Sequence, residues 1–98
     1  MTRIEFAPEV ANDLERILEH LAQYEIQDCA ERIGQIIEAI TILERNPLIG
    51  RPVGKGKREL VIGRRNRGYV ALYRYVDAFD TVFLLALRSQ REAGYTGE

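Results

Sequence analysis

Cysteine and histidine occur once each in the 98 residues, as Cys29 and His20. A single thiol excludes an internal disulfide framework and a cysteine-based zinc site, and a single imidazole excludes a histidine-rich metal site. Long hydrophobic runs are missing as well. The longest purely apolar stretch, Val82 to Leu87, falls far short of the ~20 residues that a membrane-spanning helix needs. The opening Met-Thr-Arg-Ile-Glu-Phe lacks the basic-then-apolar layout of a secretory signal, so a soluble, cytoplasmic protein is expected. With only 3 prolines and 8 glycines the composition is neither low-complexity nor disordered. At 46% hydrophobic and 30% charged, the chain is expected to form one domain, residues 1–98, around one modest core.

A net charge of −1 conceals a division. Met1 to Ile49 holds 4 arginines against 10 acids, a net of −6; Gly50 to Glu98 holds 10 lysines and arginines against 5 acids, a net of +5. Between Arg51 and Arg74 eight cations face one acid, Glu59. Such a concentration creates a local field suited to phosphates or to an acidic protein partner.

Alternation over Arg3–Phe6 predicts a short strand. Pro8 suits the first turn of a helix, and Val10, Leu14, Ile17, Leu18 and Leu21 follow as one apolar stripe that fades near Tyr24. Ala30, Ile33, Ile36, Ile37, Ile40 and Leu43 keep the helical period in a second helix, from about Gln27 to Arg45, which Asn46-Pro47 stops. Two striped helices joined by a few residues read as an antiparallel hairpin that covers a sheet. Pro47 to Gly56 reads as loop. Strands are predicted at Glu59–Ile62, Tyr69–Val76 and Thr81–Leu87, the last being the most hydrophobic and expected at the centre of an antiparallel meander. The fold class is therefore α+β: a short N-terminal strand and a helix hairpin packed on a small, mainly antiparallel sheet.

Most chemistry-bearing residues read as structural. His20 and Cys29 flank the hairpin turn with no third group to orient them. The carboxylates Glu9, Asp13, Glu15 and Glu19 read as a solvated helix face. Gly54-Lys55-Gly56-Lys57 is too short, and lacks the Ser or Thr, for a phosphate-binding loop. Tyr69, Tyr73 and Tyr75 share a strand face with Ala71 and read as sheet packing. The arginines differ. Arg88 and Arg91, with Tyr95, follow the most apolar strand, and with Arg58, Arg64, Arg65, Arg67 and Arg74 they are expected to ring one end of the sheet, where guanidinium forks grip phosphate or carboxylate.

Several segments, in order, resemble the RelE/ParE superfamily of small toxins from bacterial type II toxin–antitoxin modules. They are Ala7-Pro8-Glu9-Val10-Ala11-Asn12-Asp13-Leu14, Asn46-Pro47-Leu48-Ile49-Gly50-Arg51-Pro52, Arg58-Glu59-Leu60-Val61-Ile62, Gly68-Tyr69-Val70-Ala71-Leu72-Tyr73-Arg74 and Leu87-Arg88-Ser89-Gln90-Arg91-Glu92-Ala93-Gly94-Tyr95. The resemblance implies that same fold, no cofactor or metal, and a toxin neutralised by a cognate antitoxin. The antitoxin would lay an amphipathic, net acidic segment along Leu14, Ile17, Leu21, Ile33 and Ile37, and would alone bring operator DNA. RelE-like members cut mRNA on the ribosome; ParE-like members poison DNA gyrase. Aligned on Gly68-Tyr69, the basic positions of the RelE-like enzymes hold Val61, Gly63 and Val70 here, and Ser89 stands where many relatives carry histidine. That favours a ParE-like inhibitor over a catalyst. The alternatives are a metal-independent, ribosome-dependent endoribonuclease using Arg65, Arg91 and Tyr95, and a non-toxic partner acting only in autoregulation. The target-binding set is expected to be Arg58, Arg65, Arg74, Arg88, Arg91 and Tyr95.

Overall fold

The computed structural model describes residues 1–24, 29–63 and 68–89. In chain order the elements are β1 (Arg3–Phe6), α1 (Pro8–Tyr24), α2 (Cys29–Ile42), β2 (Arg51–Gly54), β3 (Lys57–Ile62), β4 (Tyr69–Val76) and β5 (Thr81–Ser89), with a 3-10 turn at Asp77–Phe79. The strands form one sheet in the order β1-β5-β4-β3-β2. The last four strands in sequence make an antiparallel meander, and β1 adds to β5 in parallel. Both helices lie against one face. Val10 and Ile17 from α1, Ile36 and Ile40 from α2, and Leu43 just after it meet Ile62, Tyr69, Ala71, Tyr73, Val82, Leu84 and Leu87 of the sheet in a single core.

This is the expected α+β architecture, with four local differences. The segment read as loop contains β2. Its Pro52 lies on the outermost strand, where a missing N–H breaks no ladder. The middle strand is β4, and β5 lies between it and β1. β5 also continues through Arg88 to Ser89, so Arg88 belongs to the strand rather than following it. Finally, α2 ends at Ile42 and the chain turns over Leu43–Arg45. The expected start of α2 near Gln27 falls among residues 25–28, outside the described ones.

The inward row of β4 carries the packing predicted for its tyrosines: Tyr69, Ala71 and Tyr73 are buried and Tyr75 is half-buried. Tyr73 reaches through the core to the loop after α2, where the Gly50 N–H donates to its hydroxyl at 2.8 Å. A Cβ on Gly50 would lie 2.7 Å from both the Glu59 carbonyl oxygen and the Tyr73 ring, so the approach is possible only for glycine. At the other end of the sheet the Thr2 hydroxyl and the Tyr75 phenol both donate to Asp80 Oδ1, at 2.7 and 2.8 Å. These bonds hold the Asp80 carboxyl below its usual range, and tie the chain entering β1 to the turn before β5.

Gly50→Ala is expected to cost about 1–3 kcal/mol, the usual range for overpacking a tight contact, and Tyr73→Phe a similar amount by leaving a buried N–H unpaired; urea unfolding measures both. Burial also raises the Tyr73 phenol above its ordinary 10.0. The folded state therefore favours the neutral phenol, and its contribution is complete below the unfolded pKa. Stability should fall as pH rises from about 10 toward the folded value, and Tyr73→Phe should remove that part of the fall.

Candidate functional site

Directly opposed residues in a ladder share a face, so the buried row of β4 assigns the rest of the sheet. Ile62 and Leu60 of β3 pair with Tyr69 and Ala71 and turn toward the helices. Val70, Leu72 and Arg74 turn the other way, to a face on which neither helix packs. Three rows cross that open face. One is Val61, Val70 and Arg88; the next is Arg51, Glu59, Leu72 and Ala86; the third is Lys57, Arg74, Phe83 and Glu5.

Simple alternation from Leu84 would place Ala86 and Arg88 inward. The structure does otherwise, because Tyr73 pairs with Leu84 while Leu72 pairs with Ala86, leaving Leu85 as an extra residue in β5. This bulge shifts the alternation by one. Leu84 and Leu87, three apart, both become fully buried, and Arg88 is turned outward and exposed. The Arg88 side chain has no hydrogen bond or ion pair among the described residues.

The bulge lies beside a residue that the sequence reading placed in solvent. Asp13 is 8% exposed; its Oδ2 accepts the Leu87 N–H at 2.9 Å and its Oδ1 accepts from Arg16 Nη1 at 3.0 Å. The correction follows from helical geometry, since positions 10, 13 and 17 share one face and Asp13 falls between the buried Val10 and Ile17. A carboxylate is tolerated there because both oxygens are engaged.

Among the described residues, the arginines expected to ring one sheet end do not come together there. Arg88 stands in the row with Val70 and Val61, at the end where β3 turns into β4. Arg74 stands four residues along β4, about 13 Å away at the rise of an extended strand, paired with Lys57 at the β2–β3 hairpin. Arg74 Nη2 donates to the Lys55 carbonyl at 3.0 Å. That contact braces a turn in which Gly54, Lys55 and Gly56 all have positive φ. Arg51 is paired with Glu59 at 2.9 Å. Arg58 belongs to none of the open-face rows. It pairs with Tyr73 on the helix side and donates through Nη1 to the carbonyls of Gly50, at 2.7 Å, and Leu48, at 3.2 Å. Arg64, Arg65, Arg67, Arg91 and Tyr95 lie outside the described residues.

Along the helices, Ile37 is 58% exposed, Leu14 and Ile33 are half-buried against the core, and Ile17 is within it. Ile17 thus supports the helix surface from beneath rather than lining it. The side chain of Leu21 lies outside the described residues. Leu18, 41% exposed, adds to this surface; its place on the predicted stripe was the signal for it.

A helix pair covering one face of a five-stranded sheet, with an open face carrying arginine but no histidine, defines a small α+β protein of the RelE/ParE structural class. The model of the ParE toxin of type II toxin–antitoxin systems matches residues 4–94, and the chain belongs to that family. The fold is similar to the solved chromosomal ParDE toxin–antitoxin system of P. aeruginosa, at 22% identity over 91% of this chain and 96% of that one, with a TM-score of 0.75. It is also similar to the intact RelBE toxin–antitoxin complex of E. coli, at 14% identity, 91% and 96% coverage and a TM-score of 0.59. A third is the RelBE2 toxin–antitoxin complex of Mycobacterium tuberculosis, at 24% identity, 91% and 98% coverage and a TM-score of 0.51. No curated protein sequence matches. Among the described residues no helix is long and apolar enough to cross a membrane.

The two arginines of the core strands should separate cleanly by denaturation. Arg58→Ala removes a charged donor from two carbonyls and is expected to cost about 1–2 kcal/mol, whereas Arg88→Ala, with no partner among the described residues, should stay within about 0.5 kcal/mol of wild type.

Proposed function

We propose that this chain arrests growth as a ParE-like inhibitor of DNA gyrase, and that a cognate antitoxin holds it inactive. The observation that carries the choice of target is the row Val61, Val70 and Arg88. Two of the positions where RelE-like enzymes carry cations stand side by side on the open face, and here both are valine. Valine neither stabilises a pentavalent phosphorus nor moves a proton, and a guanidinium offers donors but no acceptor, so the row lacks a general base. An apolar patch beside one guanidinium suits instead a protein surface that offers a carboxylate next to an apolar side chain.

In this reading the antitoxin covers the helix surface, with its apolar side chains on Leu14, Leu18, Ile33 and Ile37. Exposed Glu15, Glu19 and Glu38 flank that surface. The acidic part of the antitoxin therefore belongs farther along, where it reaches Lys57 and Arg74. The antitoxin also supplies the contact to operator DNA.

Induced expression without the antitoxin should stop growth and accumulate cleaved gyrase–DNA complexes while translated mRNA stays intact. Codon-registered mRNA cuts with uncleaved DNA would establish the ribonuclease reading instead, and unimpaired growth with abundant soluble protein would leave only an autoregulatory partner. Arg88→Ala should need at least about tenfold more protein for the same arrest, and Arg88→Lys should rescue poorly, because a point charge does not reproduce the fork. Antitoxin affinity should hardly change in either.

A further inference from the structure

The carboxylate of Asp13 lies on a helix, yet its principal contact is with the backbone of the strand that presents Arg88. β1 ends at Phe6, and its last bond to β5 is from the Ala7 N–H to the Leu84 carbonyl at 2.9 Å. Among the described residues no strand lies beside the outer edge of β5 beyond Leu84. The bulge turns the Leu87 N–H and carbonyl toward this gap, and the side chains of α1 take the place of the missing strand. Asp13 Oδ2 accepts the N–H at 2.9 Å, and Arg16, bound to Asp13, brings Nη2 to within 3.5 Å of the Leu87 carbonyl. The two side chains thus engage both polar groups of the residue immediately before Arg88. Backbone polar groups at a buried edge need partners, and β1 has no residue left to supply them.

We propose that Asp13, with Arg16, is the positioning residue of the open-face site: it clamps the last third of β5 in its bulged form and so holds Arg88 beside Val70 and Val61. The assignment rests on the reading of Arg88 as a target contact. Asp13 itself, beneath the sheet and 8% exposed, touches no target; it acts through the strand. A carboxylate is the suitable group because it accepts from the amide with one oxygen and from the guanidinium with the other.

Two measurements test this. The first is independent of toxicity: in Asp13→Ala the amides of Leu87 and Ser89 should exchange with deuterium at least about tenfold faster, with those in the middle of β4 unchanged. Equal protection of Leu87 in the folded variant would overturn the clamp. The second is a double-mutant cycle on growth arrest, normalised to soluble protein. If Asp13 works through Arg88, Asp13→Ala should weaken toxicity severalfold in the wild type but add less than about twofold to Arg88→Ala, since coupled positions are not additive. Additive losses would overturn the positioning role and leave Asp13 as a general stabiliser. Asp13→Asn keeps an oxygen for the Leu87 N–H and gives up the ion pair, so it should lie between the two. Where Asp13→Ala fails to fold, Asp13→Asn carries the same exchange measurement and the same cycle. If Arg88→Ala proves fully toxic while Asp13→Ala deprotects Leu87, the clamp stands and the choice of Arg88 as target contact fails.

Discussion

Tyr69, Ala71 and Tyr73 turn one side of the middle strand into the floor of the core, and because side chains alternate with a period of two, that choice assigns a face to every residue paired with β4. Inward on one side come Ile62 and Leu60; on the other come Val82, Leu84 and Leu87. Tyr73 extends the constraint beyond the sheet by holding Gly50 against its ring, which fixes where the chain leaves α2 and where β2 begins. Both described helices cover this face. The other face is left to side chains of mixed character, among them Arg74 and Arg88, which are out of phase with the tyrosines.

Between β4 and β5 that order is interrupted by a bulge in β5. Six successive apolar residues from Val82 to Leu87 give no alternation to read, so periodicity alone cannot tell which of Ala86 and Leu87 goes in. Volume and polarity decide it: Leu87 fills the core better than Ala86, and Arg88 is far less costly outside than under a helix. A one-residue bulge reconciles those preferences with the pairing already set by Leu84. It also gives the helix hairpin a second role, since α1 now completes an edge that β1 is too short to cover.

The fold was legible because its signals are long and consistent. Two helical stripes and strands rich in β-branched and aromatic residues agree about which faces are buried. Three features escaped for physical reasons. β2 is hidden by Pro52 and Gly54, residues that argue against a strand except at an edge, and only the sheet order reveals that it is one. Asp13 reads as solvated with the other carboxylates of α1, which lie mostly off the apolar stripe, yet its spacing from Val10 and Ile17 places it on the buried face. The arginines looked like one group because they are close in sequence. In a meander, however, residues a few positions apart on one strand are many ångströms apart along it, and neighbours in number alternate between faces. Arg58 and Arg74 illustrate both effects: one braces the loop after α2 from the helix side, the other braces the β2–β3 turn on the open side.

Those two arginines also show how the charge division of the chain is used. Cations at a strand end are costly to crowd, and Lys57 opposite Arg74 is a like-charge pair that destabilises the ladder locally. Part of the cost is offset by Glu59, which takes Arg51, and part by backbone carbonyls that accept from Arg58 and Arg74. Arg58 and Arg74 are thereby anchored in place, with no carboxylate partner among the described residues. Arg88 differs in kind: the Leu87 N–H before it donates to Asp13, while the Arg88 side chain has no bond among the described residues. The fold thus leaves this guanidinium fork exposed on its strand, with Val70 and Val61 beside it in the row.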